Sequence, residues 1–237
     1  MRKAMMMGAL LLAAGQAQAD YQCSVNPQDD IVISPQSVQV VGASGNLVIS
    51  PTGEVQRNGE AVKVSAESRQ KAIDYQAALR RDLPWVDQGA RQRLEKGRTA
   101  LDGVIVDKLG QNSNVRNRLT SLDTQLKQQM NRIIEHRSDG LTFHHQAIEQ
   151  VRQDGEKLVQ NAMGGVVQDS LNEMGSSSAG KSDNPLQAMM GNLGGLQQAI
   201  QAEWRNQEQD FQNFGHEVCN RVTTLEAQRK ALVDTLK

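Results

Sequence analysis

Residues 54–73, EVQRNGEAVKVSAESRQKAI, contain the change of period on which the fold turns. Up to Val64 the stretch reads as two short runs, EVQR and EAVKV, on either side of Asn58-Gly59. Asn-Gly tolerates the positive φ angles of a two-residue hairpin, so this half predicts paired antiparallel strands. From Ser65 the apolar spacing opens from two to about 3.6, the period of a helix. Ser65 has the side chain of an N-cap, and Glu67 in the first turn favours the helix dipole. The chain is therefore expected to be β before this point and α after it.

Working back toward the N-terminus, DIVIS, SVQVV and NLVIS are further short runs rich in Val and Ile. Ser34-Pro35, Gly42-Ala43-Ser44-Gly45 and Pro51-Thr52-Gly53 bound them as turns. The expectation over residues 20–64 is a small antiparallel meander of four or five strands. So few strands bury little by themselves, and the meander should lean on another element.

Working forward, residues 65–237 read as long helices. The first runs to about Asp82, where Pro84 is expected to break or kink it and to open a second. That second helix carries Leu94, Leu101, Ile105 and Leu109 on one face and stops at Gly110. A third carries Val115, Leu119, Leu122, Leu126, Met130 and Ile133 and is expected to stop at Ser138-Asp139-Gly140. A fourth begins near Thr142 and passes through Ile148, Val151, Leu158, Ala162, Val166 and Leu171. The last starts near Pro185 and runs to the end, about 75 Å if unbroken. Trp204, Phe211, Val218, Leu225 and Leu232 fall seven apart along it, a coiled-coil-like row. Aromatic residues are only 3% of the chain, so the core should be aliphatic, as in a helical bundle. The expected class is α+β, mainly α: a meander followed by an elongated bundle or hairpin of long helices.

The ends and the composition bear on where the protein works. Arg2 and Lys3 precede an apolar stretch from Ala4 to Ala14, and Ala17-Gln18-Ala19 is a small-x-small site. This reads as a secretory signal peptide cleaved after Ala19, with a periplasmic mature chain from Asp20. Cys23 and Cys219 are the two cysteines, and an even pair in an exported protein reads as a disulfide. His216 lies three residues before Cys219, but no second His/Cys cluster completes a four-ligand zinc site. The 26 basic and 27 acidic side chains leave a net charge of −1 with no basic stripe, which argues against nucleic acid as a partner.

Residues 175–182, GSSSAGKS, satisfy G-x-x-x-x-G-K-[ST] letter by letter. A phosphate loop needs a buried strand before it and a helix directly after it. Here a helical period precedes, and Ser182-Asp183-Asn184-Pro185 prolong a loop. Residues 175–184 are read as a flexible connector, with no nucleotide bound. Met163, Gly164, Gly165, Met174, Met189, Met190, Gly191, Gly194 and Gly195 flank it. Glycines weaken helices, and methionines make adaptable apolar surface. The flanks read either as tight packing of two antiparallel helices or as an interaction tip for an envelope protein, an unfolded client or a lipid surface.

Other chemistry is sparse. His144 and His145 are adjacent and point about 100° apart on a helix, so they do not chelate together. His145 and Glu149 are four apart, a spacing that a solvated pair fills as well as a metal does. Asp29-Asp30 and Asp82/Asp87 lie near turns, with nothing that aligns an acid against a base. No cofactor or metal is expected.

The stretches DYQCSVNPQDDIVISPQSVQV, NLVISPTGEV, DLPWVDQGA, LDTQLKQQMNRIIEHRSDGLTFHHQAI, GGLQQAIQAEW and FGHEVCNRV resemble the YggN-like proteins of gammaproteobacteria. The resemblance covers essentially the whole mature chain. It implies an exported protein of unknown function and carries no catalytic or binding residue with it. The function expected from the residues is non-catalytic: protein binding or scaffolding in the cell envelope, chaperone-like, with an envelope protein, a lipid surface or a second copy as partner. The alternative is an envelope hydrolase or lipid-handling enzyme with a site assembled from scattered residues.

Overall fold

A computed structural model describes residue 23, residues 25–178 and residues 185–236. The expected signal peptide lies outside them. Five strands open the fold: β1 Asp29–Ile33, β2 Val38–Gly42, β3 Leu47–Ile49, β4 Val55–Arg57 and β5 Glu60–Val62. Each pairs antiparallel with the next, as the turn residues predict. Asn58 (φ 52°) and Gly59 (φ 86°) make the tight turn between β4 and β5. Helix α1, Ala66–Leu109, starts where the period changes: Ser65 Oγ accepts from the Ser68 N–H at 3.1 Å.

Pro84 lies inside α1 and does not divide it, so the expected first and second helices are one element of 44 residues. Proline removes one helical hydrogen bond, and tertiary contacts on both sides of it supply the compensation. Asp82 and Leu83 are buried. Trp85 lies 5.3 Å from the Phe214 ring and under the guanidinium of Arg221. Gly110 stops α1, and Ser113 caps α2, Asn114–Ile133.

The expected third helix is also corrected at its end. It stops at Ile133, and two strands follow, β6 Ile134–Arg137 and β7 Gly140–Phe143. Ser138-Asp139-Gly140 is thus a hairpin turn and no helix stop. Strand β7 pairs with β1, setting Ile31 against Phe143 and Ile33 against Leu141. The sheet therefore has seven strands in the order β5-β4-β3-β2-β1-β7-β6. The free edge of β1 and the apolar Leu141 and Phe143 explain the change: pairing satisfies a row of backbone groups, buries Leu141 and packs the half-buried Phe143 against the core. Thr142 consequently lies in β7, and the next helix, α3, begins later, at Ala147 and runs to Ser178.

Helix α4, Pro185–Val233, closes the fold with a 3₁₀ turn at Asp234–Leu236. Cross-helix pairs run in opposite directions along each neighbouring pair. Arg91–Asn131, Glu95–Lys127 and Asp102–Arg116 join α1 to α2. Arg132–Asp154 and Arg118–Asp169 join α2 to α3. Asp82–Arg221 and Arg93–Asp210 join α1 to α4. The result is an antiparallel bundle with the sheet packed at one end. The main core is there: Ile31, Ile33, Val38, Val40, Leu47 and Ile49 face Tyr75, Leu79 and Leu83 of α1 and Leu225 and Leu232 of α4. Farther out, a small cluster of Ile105, Val115 and Leu119 joins α1 and α2.

Candidate interaction surface

The helical period decides which apolar side chains of α3 face inward. Ile148, Val151, Leu158, Ala162 and Val166 are half-buried. Val159, Met163, Val167 and Leu171 form a second row, spaced four apart, and are 43, 43, 46 and 38% exposed. Leu171 was expected on the inner row. The five-residue step from Val166 turns it about 140° away, onto the outer row.

The heptad row of α4 divides in the same way. Leu225 and Leu232 are buried, Val218 is half-buried, and Phe211 and Trp204 are exposed at 37 and 54%. The expected continuous seam is corrected accordingly. A strict seven-residue spacing drifts about 20° per heptad on a straight helix. Over the four heptads from Leu232 to Trp204 the row rotates off the core-facing side. Leu196 and Gln207 are buried on this outer stretch instead. The Trp204 and Phe211 rings stack on each other, with centroids 6.0 Å apart.

The nine residues of the expected tip do not share one environment. Met163 and Gly164 are exposed, and a Cβ on Gly164 would meet open space. Gly165 is half-buried under Arg118, whose guanidinium occupies the place of a Cβ while its Nε donates to Asp169 at 2.8 Å. Gly165 thus serves the α2–α3 contact. Gly194 and Gly195 are half-buried with open space beside them. Met174, Met189, Met190 and Gly191 lie on helical backbone, and their surroundings fall outside the described residues. Gly175–Ser178, expected to open the connector, prolong α3, while Ala179–Asn184 lie outside the described residues. The element before the phosphate-loop string is therefore a helix.

Cys23 and Cys219 are at disulfide distance, with Sγ atoms 2.14 Å and Cα atoms 5.5 Å apart. The bridge ties the N-terminal segment to the C-terminal third of α4. A ladder of rings and cations lies near it: Arg221 over Trp85 at 3.9 Å, Trp85 against Phe214, and Arg93 over Phe214 at 4.1 Å. Gly89 makes room for Phe214, since a Cβ there would lie 2.5 Å from Cε2.

The carboxylates singled out in the sequence are engaged by cations or hydroxyls. Asp29 accepts from the Ser44 N–H and hydroxyl, both at 2.9 Å, beside Arg229. Asp30 pairs with His145 at 2.6 Å, so His145 is partnered there and not with Glu149. Asp87 lies between Arg91 and His136. Asp82 lies between Arg81 and Arg221. Among the described residues no three His, Cys, Asp or Glu side chains group to hold a metal ion. No described helix is long and apolar enough to cross a membrane.

These ion pairs set the acid limit of the fold. Burial raises the Asp82 carboxyl, but hydrogen bonds from Arg81 and Arg221 outweigh it and hold it below the usual range. Arg98 and then Lys127 hold Glu95 down to about 2, and Arg152 holds Glu149 there too. A lowered folded-state pKa contributes stability that is complete above the unfolded value and is lost as pH falls through the folded one. The melting temperature should be flat from about pH 7 to 5 and fall between about pH 4 and 2. Asp82 should contribute most, because Glu95 and Glu149 are exposed and screened. A thermal melt unchanged at about pH 2.5 contradicts this account.

Comparison with known proteins places the whole chain. The family model "Protein of unknown function (DUF2884)" matches residues 23–237. The chain belongs to this family. It is 59% identical to the "Uncharacterized protein YggN" of Escherichia coli strain K12, over 100% of both chains. The proteins of the same name from strains O6:H1 and O157:H7 match equally, again over 100% of both chains. No solved structure matches.

Proposed function

We propose that this chain is a non-catalytic periplasmic protein that binds other proteins, in a scaffolding or chaperone-like role, through the outer half of its bundle. One observation carries the reading. Of the large apolar side chains exposed among the described residues, all but Val41 lie between Val159 and Phe211. Exposed apolar clusters of this kind are what protein partners cover, and Trp is the residue type most enriched at energetic centres of interfaces. Asp29, Asp30, Asp82 and Asp87 are each engaged by a cationic or histidine side chain. The charged-apolar-small pattern of residues 1–19 and the cysteine pair favour an oxidising compartment outside the inner membrane.

Photo-crosslinking in intact cells tests it. A photoreactive residue at Val159 or Trp204 should give discrete adducts. The same residue at Gln56, an exposed polar position on β4, should give none. Equal background at all three positions counts against the proposal.

A further inference from the structure

The outer row of α3 has a geometry that selects among occupants. Val159, Met163, Val167 and Leu171 make one ridge of residues four apart. Two such ridges interdigitate at about −50° in the commonest packing of helices. The next row is Gln160, Gly164 and Gln168. Gly164 is exposed with nothing near its missing Cβ, so it forms a notch beside the ridge. The ridge and the notch that receives it therefore lie on the same helix face, as a two-fold contact requires.

Charge narrows the choice. From Leu158 to Gln168 no residue is charged. Asp169, the next residue, is paired with Arg118 of α2. An anionic bilayer calls for several Lys or Arg beside the apolar strip, and here amides flank it, with the single Lys157 at its start offset by Glu156. Gln160 and Gln168 each donate and accept, so identical amides can pair across a symmetry axis. An uncharged face also meets its own copy without repulsion.

We propose that this face of α3 binds a second copy of the same chain, α3 crossing α3 about a two-fold axis near Gly164. The proposal rests on reading the outer bundle as a contact surface, and it names the partner for one of its two apolar clusters. Trp204 and Phe211 stay available to other proteins. A single helix crossing is small, below about 1,200 Å², so the dimer dissociates on dilution.

Sedimentation equilibrium of the purified, oxidised chain, from micromolar to near-millimolar concentration, tests this. The mean mass should rise toward that of a dimer. Met163→Glu and Val167→Glu, both at exposed positions, should weaken association at least about tenfold with unchanged melting temperatures. Gly164→Leu, which fills the notch, should weaken it as well, and Trp204→Ala should not. A monomer at every concentration overturns the proposal, as does a dimer indifferent to both Glu variants. Flotation with phosphatidylglycerol vesicles that Val167→Glu abolishes, without any dimer, overturns it in favour of a lipid surface. A different protein crosslinked at Val159 alongside a strictly monomeric chain sinks the dimer and leaves the proposed function standing.

Discussion

Gly140→Ala should detach the β6–β7 hairpin from the sheet and lower the melting temperature by roughly 10 °C, equivalent to about 3–5 kcal/mol. Two effects coincide at this residue. Its φ is 152°, in the region that side-chain-bearing residues avoid, and its missing Cβ would fall on the carbonyl oxygen of Ile33. That oxygen belongs to β1, the strand to which β7 is paired, so neither side can yield without losing the pairing of Ile33 with Leu141. Leu141 is buried, and its release would open the main core beside Ile33. Gly59→Ala is the control. Gly59 also has positive φ, at 86°, but nothing lies within 4 Å of its missing Cβ. It should cost only about 1 kcal/mol. Thermal melts of the two variants, with amide exchange at Ile31 and Ile33, separate clash from strain. Equal melting of both would mean that β7 is not seated on β1.

The second large effect is loss of the Cys23–Cys219 bridge. The two residues are 196 apart in sequence. Closing a loop of that length restricts the unfolded chain by about 5 kcal/mol in the entropy model, with measured values usually between 2 and 5. Cys219→Ser, or reduction of the native chain, should therefore lower the melting temperature by roughly 10 °C. The loss should be felt first where α4 meets α1, because Cys219 lies between Phe214 and Arg221, whose side chains hold Trp85. Thiol titration in denaturant without reductant should find no free thiol. Two thiols per chain, or a melt indifferent to reductant, would show that the clasp is not formed.

Much of the fold was legible because local chemistry was sufficient. Each of the first five strands is a short Val/Ile-rich run closed by its own turn residues. Ser65, Gly110 and Pro185 are read correctly as helix boundaries, since a cap or a missing N–H acts within one turn of chain. The hairpin at 134–143 was not legible in that way. Asp139-Gly140 between Ile134-x-His136 and Leu141-x-Phe143 is a hairpin signal, but it follows directly on a helical stripe, and a glycine also stops helices. Pro84 posed the opposite problem: the residue breaks isolated helices, and only Asp82, Leu83 and Trp85 in their tertiary places hold α1 together across it. On α3 and α4 the apolar periods were plain. Which rows faced water was not, because that depends on how far each row drifts around its helix and on what packs opposite.

The sequence alone determined the period change at Ser65, the helix boundaries at Ser65, Gly110 and Pro185, the pairing of its two cysteines and membership of its family. These rest on near neighbours in the chain, on a count of two, or on direct similarity. Tertiary structure alone decided that β7 joins β1, that α1 runs through Pro84, and that Val159, Met163, Val167, Leu171 and Trp204 remain exposed. Those outcomes depend on residues as far apart as Ile33 and Leu141 competing for the same backbone groups and the same buried volume, a competition that no local window of sequence contains.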